Sequence, residues 1–151
     1  MLITSPVVGE AKIARLNQLN LKAHGLLLVV DNLTNLADLV DGASGAGKGL
    51  DVLVNVDVGM GRTGLHQIPR VVDLARAAHR AEGLTYKGIQ GYSGMVQHIN
   101  ALAERETVYG AQLDHLSAVV DALKAEDLAP EIISDGGTGT SIIDGARGLF
   151  S

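Results

Sequence analysis

The sequence predicts an α/β domain built on about five parallel strands with helices between them. Strand-length apolar runs alternate with amphipathic stretches of helical period along the chain, in the order β-α-β-α-β-α-β-α-β. Glycines punctuate the boundaries. Residues 51–64, DVLVNVDVGMGRTG, show the unit most plainly: Val52, Val54 and Val56 alternate with Leu53, Asn55 and Asp57, and a glycine-broken turn carrying Arg62 leads to the next helix. A strand that delivers a polar residue to its C-terminal tip, then a loop, then a helix, is the unit on which α/β proteins set their chemistry. An open doubly wound sheet and a section of a (β/α) barrel both satisfy this order. A closed eight-unit barrel takes ~250 residues, so this chain of 151 residues is a single domain that alone cannot close one.

The elements follow in order. Residues 1–4 are a short apolar run. A helix follows Gly9, with Ile13, Leu16 and Leu19 on one side and Lys12, Arg15 and Gln18 on the other, and Gly25 stands where a C-capping glycine belongs. Residues 26–30 are continuously apolar and end at Asp31, long enough for a buried strand and too short for a helix. Residues 32–41 read as a short helix with Leu33, Leu36, Ala37 and Val40 as its apolar stripe. After the loop 42–49 and the strand 51–57, a helix from Ile68 carries Val71, Val72, Ala75 and Ala78, with Pro69 in its first turn and Gly83 as its stop. Residues 86–92 form the next strand, running into Ser93-Gly94. A long helix covers 103–123 with Tyr109, Leu113, Leu116, Val120 and Leu123 facing inward. Ile132–Ser134 is the last strand, and Asp135 leads into Gly136-Gly137-Thr138-Gly139-Thr140.

Composition narrows the function classes. An apolar fraction of 46% with only 3% aromatics calls for an aliphatic core. The net charge of -5 gives no support to a nucleic-acid or anionic-membrane partner. There is no cysteine, which excludes a disulfide framework or thiolate metal site and fits a reducing compartment. No apolar run reaches the ~20 residues of a membrane span, and no secretory signal is visible. The expected location is cytoplasmic.

The strand tips carry the polar residues: Asp31, Asp57 with Arg62 beyond it, Gln90 with Tyr92, and Ser134 ahead of the glycine run. Alternation places Leu53, Asn55 and Asp57 on one face and Gln90 and Tyr92 on one face. An aspartate at such a tip also serves as a loop or helix cap, but convergence of several tips on one face favours a site. In the 136–140 run, glycines free amide N–H groups to converge on an anion, threonine hydroxyls add donors, and a helix beginning near Ser141 contributes its dipole. Gly42, Gly47 and Lys48 match part of a P-loop, but position 49 is glycine rather than a hydroxyl residue and the loop precedes a strand, so it is a surface connection. The five histidines show no metal-binding spacing. His98 is the best placed of them, six residues past Tyr92.

These motifs carry a resemblance. VNVDVGMGRTG (54–64), GIQGYSGMVQHI (88–99) and SDGGTGT (134–140), with ITSPVVGEAKIARL (3–16), are similar in order and spacing to the D-threonine aldolase / D-serine dehydratase-like family. Its catalytic domain is the alanine-racemase-type barrel of fold-type III pyridoxal-phosphate enzymes. The Tyr-x-Gly-x-x-Gln-His form at 92–98 leans to the aldolase branch. The resemblance implies a partial (β/α)8 TIM-type barrel. It implies that Gly137, Thr138, Gly139 and Thr140 hold the cofactor phosphate, that Gln90 and Tyr92 flank the cofactor, and that Arg62 meets the ring or the substrate carboxylate. Asp57, His98 and Ser134 are further pocket residues. It also implies pyridoxal phosphate as cofactor, a D-amino acid as substrate, and a homodimer with a divalent metal in the intact enzyme, its metal ligands lying in a C-terminal domain absent after Ser151.

No catalytic residue is expected within the chain. Family members form a Schiff base through a lysine on the first barrel strand, which should lie upstream of Met1. Lys12, Lys22, Lys48, Lys87 and Lys124 fall on helices, in the glycine-rich loop or at the wrong end of a strand. Val58 and Asp135 depart from the residues common in the family, threonine and glycine. The chain therefore reads as the central fragment of a D-threonine aldolase-type lyase, inactive alone. D-serine dehydratase or racemase chemistry on the same fold is the alternative. A non-catalytic phosphate-binding or assembly-dependent module is the alternative of another class, and a small flavodoxin-like or Rossmann-type nucleotide binder is a weaker one.

Overall fold

Valines and leucines on both faces of a short strand need cover on both sides, and a parallel sheet wrapped by helices supplies it. The computed structural model describes residues 1–148. Five strands, β1 Leu2–Ile3, β2 Leu27–Val30, β3 Leu50–Asn55, β4 Leu84–Gln90 and β5 Ile132–Ser134, alternate with α1 Glu10–Lys22, α2 Leu33–Ala43, α3 Ile68–Arg80 and α4 Leu102–Ala125; α5 Ser141–Arg147 follows β5. A 3₁₀ turn, Met95–His98, lies between β4 and α4.

All neighbours pair in parallel, and the sheet order is β1-β2-β3-β4-β5. The order never reverses, whereas a doubly wound sheet turns back at a switch point. The fold is therefore a curled section of a (β/α) barrel, and the nucleotide-binding doubly wound alternative is excluded.

The helix-facing side of the sheet is dry. Leu28, Val30, Val52, Val54, Val56 and Ile89 join Leu36, Leu39, Val71, Leu74, Leu116 and Val120 in one core cluster. Each fully buried leucine or valine contributes about 1.5–3 kcal/mol, so this layer dominates the stability. The register places Val29 beside Leu53 and Leu53 beside Gly88 on the opposite face.

Several boundaries and one helix face differ from the sequence expectation, and β3 ends at Asn55 rather than at 57. The fourth strand runs from Leu84 to Gln90 rather than over 86–92, because Leu84 pairs with Leu50 immediately after the Gly83 turn. Its register with β3 shifts between Val52 and Leu53, skipping Lys87. Tyr86 and Ile89 consequently both reach the helix-side core, and Tyr86 donates its hydroxyl to the Leu128 carbonyl at 3.3 Å. Gly88 has φ 140°, and a Cβ there would collide with the Ile132 carbonyl oxygen, so only glycine lets β4 and β5 approach this closely.

The stripe of α2 is also rotated. Leu33 is 60% exposed and Ala37 is exposed, while Leu36, Leu39, Ala43 and Asn35 are buried. Asn35 is buried because its Nδ2 donates to the Val7 carbonyl at 2.8 Å. The helix is capped by Asn32, whose Oδ1 accepts the Asn35 N–H at 2.7 Å. At the end of α1 the C-cap is Ala23 rather than Gly25. Lys48 covers that end, donating to the Asn20 and Ala23 carbonyls at 2.9 and 2.8 Å, which ties the 42–49 loop to α1 as a surface connection.

Candidate functional site at the strand tips

The C-terminal ends of β3, β4 and β5 set three polar side chains in one row. Asn55 pairs in register with Gln90, and Gln90 with Ser134. Neighbours in register across a parallel sheet point to the same side, here the side away from the helices. Asn55 and Gln90 are each 5% exposed. The Asn55 carboxamide donates to Thr63 Oγ1 at 3.0 Å, while Gln90 Oε1 is buried with no partner among the described residues. Arg62, Met60, Thr63 and Tyr92 line a small cleft over this row, with Thr4 from the end of β1. Arg62 is exposed and Tyr92 half-exposed. A larger cleft of about 490 Å³ lies between α1 and α2, at Ile13, Asp38 and Gly42, on the outer helix layer and away from the strand tips.

The loop after β3 closes on itself. Val56 bridges Leu65, the Asp57 N–H donates to the Leu65 carbonyl at 3.1 Å, and the Leu65 N–H donates to Asn55 at 3.0 Å. Asp57 Oδ1 accepts the N–H groups of Gly59, Met60 and Gly61 at 2.9, 2.8 and 3.0 Å. Burial would raise this carboxyl, but the three amide donors and the nearby His66 outweigh it and hold Asp57 below the usual carboxylate range. The pocket expectation for Asp57 is thus revised: its carboxylate is committed to capping the loop, and Arg62 and Thr63 rather than Asp57 face the cleft. His66 Nδ1–H donates to the Asp57 carbonyl at 3.0 Å, and its ring stacks on His115 at 4.5 Å between centroids. Burial, then the His66 charge, pushes the His115 imidazole down.

The loop after β5 takes its partners from elsewhere. The Gly91 N–H donates to Ser134 at 2.9 Å, so the segments leaving β4 and β5 run side by side. The Gly139 N–H donates to Gln97 Oε1 at 2.8 Å, from the 3₁₀ turn. Arg105 on α4 donates to the Gly139 carbonyl at 2.6 Å and to the Ile99 carbonyl at 2.8 and 2.5 Å. Thr138 is exposed; Gly137 and Gly139 are half-buried.

Thr140 departs from its expected role. It is fully buried, its hydroxyl accepts the Gly137 N–H at 2.9 Å and donates to Asp144 Oδ2 at 2.9 Å. The threonine locks the loop and presents no hydroxyl to solvent. Behind it, Tyr109 is buried, with no aligned partner for its hydroxyl among the described residues. Burial pushes that phenol well above its ordinary range. Burial lifts the Asp135 carboxyl to about 6, the Gly136 N–H opposes this, and the neighbouring Asp144 carboxylate adds to it.

The model of the alanine racemase N-terminal domain family matches residues 3–147. The chain belongs to that family. A 3-hydroxy-D-aspartate aldolase of Paracoccus denitrificans (strain Pd 1222) is 38% identical over the whole of this chain, and a D-threonine aldolase of an Arthrobacter species is 36% identical over 99% of it. Each match spans 39% of the relative. The crystal structure of D-threonine aldolase from Filomicrobium marinum superposes with a TM-score of 0.94 at 33% identity, covering 99% of this chain and 40% of that one. An alanine racemase from E. faecalis, at 22% identity and a TM-score of 0.72, shares the fold.

Other members of the sequence-derived site in this alanine racemase-type domain fall as follows. His98 is exposed and does not line the cleft. Ser134 is half-buried at the end of the polar row. Lys48 is bound to the end of α1, and Lys87 pairs with Glu131 at 2.8 Å ahead of β5. Lys12 and Lys22 lie on α1, and Lys124 lies on α4. No group of three metal-ligating side chains occurs among the described residues, and none of their helices is long and apolar enough to cross a membrane. Sequence reasoning passed over Gln97 and Arg105. Gln97 stood in the Tyr-x-Gly-x-x-Gln-His motif and was overshadowed by His98; nothing in the helical pattern marks Arg105.

Gln97 lies directly against the glycines of the 136–140 loop. A Cβ on Gly137 would stand 2.9 Å from Gln97 Nε2, and one on Gly139 would stand 2.6 Å from Gln97 Oε1, so both positions must be bare. An uncharged oxygen, Gln97 Oε1, already sits where the Gly139 N–H points. The Gly137 and Gly139 N–H groups meet protein oxygens, Thr140 Oγ1 and Gln97 Oε1, and backbone amides of glycine-rich loops are the donor type that a phosphate oxygen takes.

Proposed function

We propose that this chain forms the cofactor-holding core of a pyridoxal-phosphate-dependent aldolase that cleaves D-3-hydroxy amino acids to glycine and an aldehyde. The observation that supports this most is the glycine-bare seat of the 136–140 loop, fixed by Gln97 and Arg105 beside the strand-tip row that bears the orphaned Gln90 oxygen. The names of the aldolase relatives supply the substrate class.

In this reading Gly137, Thr138 and Gly139 hold the cofactor phosphate, and Thr140 keeps their loop in shape through Gly137 and Asp144. Bound pyridoxal phosphate supplies the electron sink for carbon–carbon bond cleavage. Gln90 and Tyr92 flank the cofactor and set its orientation at the tip of β4. Arg62, exposed at the cleft, pairs the substrate carboxylate through its planar fork. Asn55 braces Thr63, and Asp57 braces Gly59–Gly61 by their amides, so the arginine is carried on a stiff loop. None of the five lysines has its side chain at this cleft, so the chain alone is expected to bind the cofactor without turnover. The divalent metal that the family resemblance implies would draw its ligands from outside the described residues.

A binding comparison tests the reading. Pyridoxal phosphate is expected to bind the chain at least about tenfold more tightly than pyridoxal, because the phosphate anchors it. Equal affinities would sink the phosphate-seat assignment. Turnover of D-threonine by the isolated chain would contradict the expected lack of a usable lysine.

A further inference from the structure

Gln97 lies with its carboxamide pressed on the 136–140 loop. Its Oε1 accepts the Gly139 N–H at 2.8 Å, and a flipped amide would set two donors against each other, so the orientation is fixed by the partner. Its Nε2 is buried and has no partner among the described residues. A buried donor left unpaired is costly and rare, and what it lacks is an acceptor. That nitrogen is the atom nearest the Cα face of Gly137, where a Cβ would come within 2.9 Å of it. Arg105 brings its guanidinium to the same loop, 2.6 Å from the Gly139 carbonyl, and its positive charge favours an anion there.

We propose that Gln97 completes the anion seat of this loop. Its Oε1 holds the Gly139 backbone in place, and its Nε2 donates to a phosphate oxygen lodged beside Gly137. The proposal rests on the reading of the loop as a phosphate site and adds a side chain to a seat otherwise made of backbone. A carboxamide is suited to this double task because it carries an acceptor and a donor on one rigid plane; a carboxylate keeps the acceptor and loses the donor.

Gln97→Glu and Gln97→Ala in the full chain separate the two halves. The readouts are affinity for inorganic phosphate and for pyridoxal phosphate, and hydrogen exchange of the Gly139 amide without ligand. In Gln97→Glu the Gly139 amide stays protected to within about twofold of wild type, while affinity for both anions falls by about tenfold or more. In Gln97→Ala the Gly139 amide exchanges about tenfold faster and affinity also falls. Undiminished phosphate affinity in Gln97→Glu would overturn the donor assignment. Tighter binding by Gln97→Ala would show that the side chain plugs the seat, and would overturn it as well. Failure of the parent reading looks different: wild type itself then binds neither anion, which removes the phosphate site and the role of Gln97 together.

Discussion

The loop after β3 and the loop after β5 both leave the sheet through glycines, yet their polar groups are satisfied from different places. The first is satisfied mainly from within: Asp57 collects three amides of its own loop and Leu65 returns to pair with the end of β3, while the Gly64 N–H reaches out to Asp31 at 3.3 Å. The second borrows: Gly139 depends on Gln97 and Arg105 from other elements, and Gln97 Nε2, Asp135 Oδ2 and Asp144 Oδ1 are buried without partners among the described residues. A loop that closes its own hydrogen bonds is a scaffold. The second loop is where the proposed function seats the ligand, and of its three open atoms Gln97 Nε2 is the donor.

The largest effect on this contrast comes from Gly88→Val. The added side chain runs into the Ile132 backbone at a positive φ, which separates β4 from β5 and removes the platform of the second loop. A loss of about 3 kcal/mol or more in urea unfolding is expected. Wild-type stability in this variant would show that β4 and β5 are not in close approach at Gly88.

Asp57→Ala attacks the scaffold loop and should cost about 2 kcal/mol, the worth of hydrogen bonds to a charged acceptor. Because the folded pKa of Asp57 is depressed, its contribution is present above the ordinary carboxylate pKa and is lost as pH falls through the lower folded value. Acid titration of stability should therefore be shallower at the low end in the variant than in wild type.

Asp135→Asn acts in the opposite direction and more weakly. The folded carboxyl titrates at about 6 against 3.8, so its contribution is full below 3.8 and is lost as pH rises through 6. The asparagine variant should gain on the order of 1–2 kcal/mol at pH 7 and lose the pH dependence between 4 and 6. Parallel pH–stability curves for the two proteins would place Asp135 in water.

The fold was legible because it is carried by residues whose burial follows their hydropathy. Val52, Val54 and Val56 announce β3, and the alternation of five apolar runs with helices announces the parallel sheet. Choosing a barrel over a doubly wound sheet needed strand order, which periodicity does not encode, and here rested on family resemblance. The misread details share a cause. Asn35 is buried through a bond to Val7, and the skipped Lys87 turns Tyr86 to the helix side; both depend on contacts distant in sequence. At the tips, Gln90, Ser134 and the glycine run could be read from position alone. Asp57 and Thr140 could not be distinguished from ligand-binding residues, since a carboxylate or hydroxyl in a glycine turn serves a ligand or its own backbone equally well. Gln97 and Arg105 act between elements; the motif at 92–98 contains Gln97 without revealing its partner, and nothing in the linear pattern marks Arg105.

In the proposed function the loop after β5, and not the loop after β3, receives the phosphate of the cofactor. Amide chemical-shift mapping of the isotope-labelled chain during titration with pyridoxal phosphate tests it directly. The account predicts saturable shifts at Gly137, Thr138 and Gly139 and at the Gln97 side-chain amide, with smaller ones at Gln90. Shifts confined to Gly59–Gly61, or to the α1–α2 cleft, would contradict it.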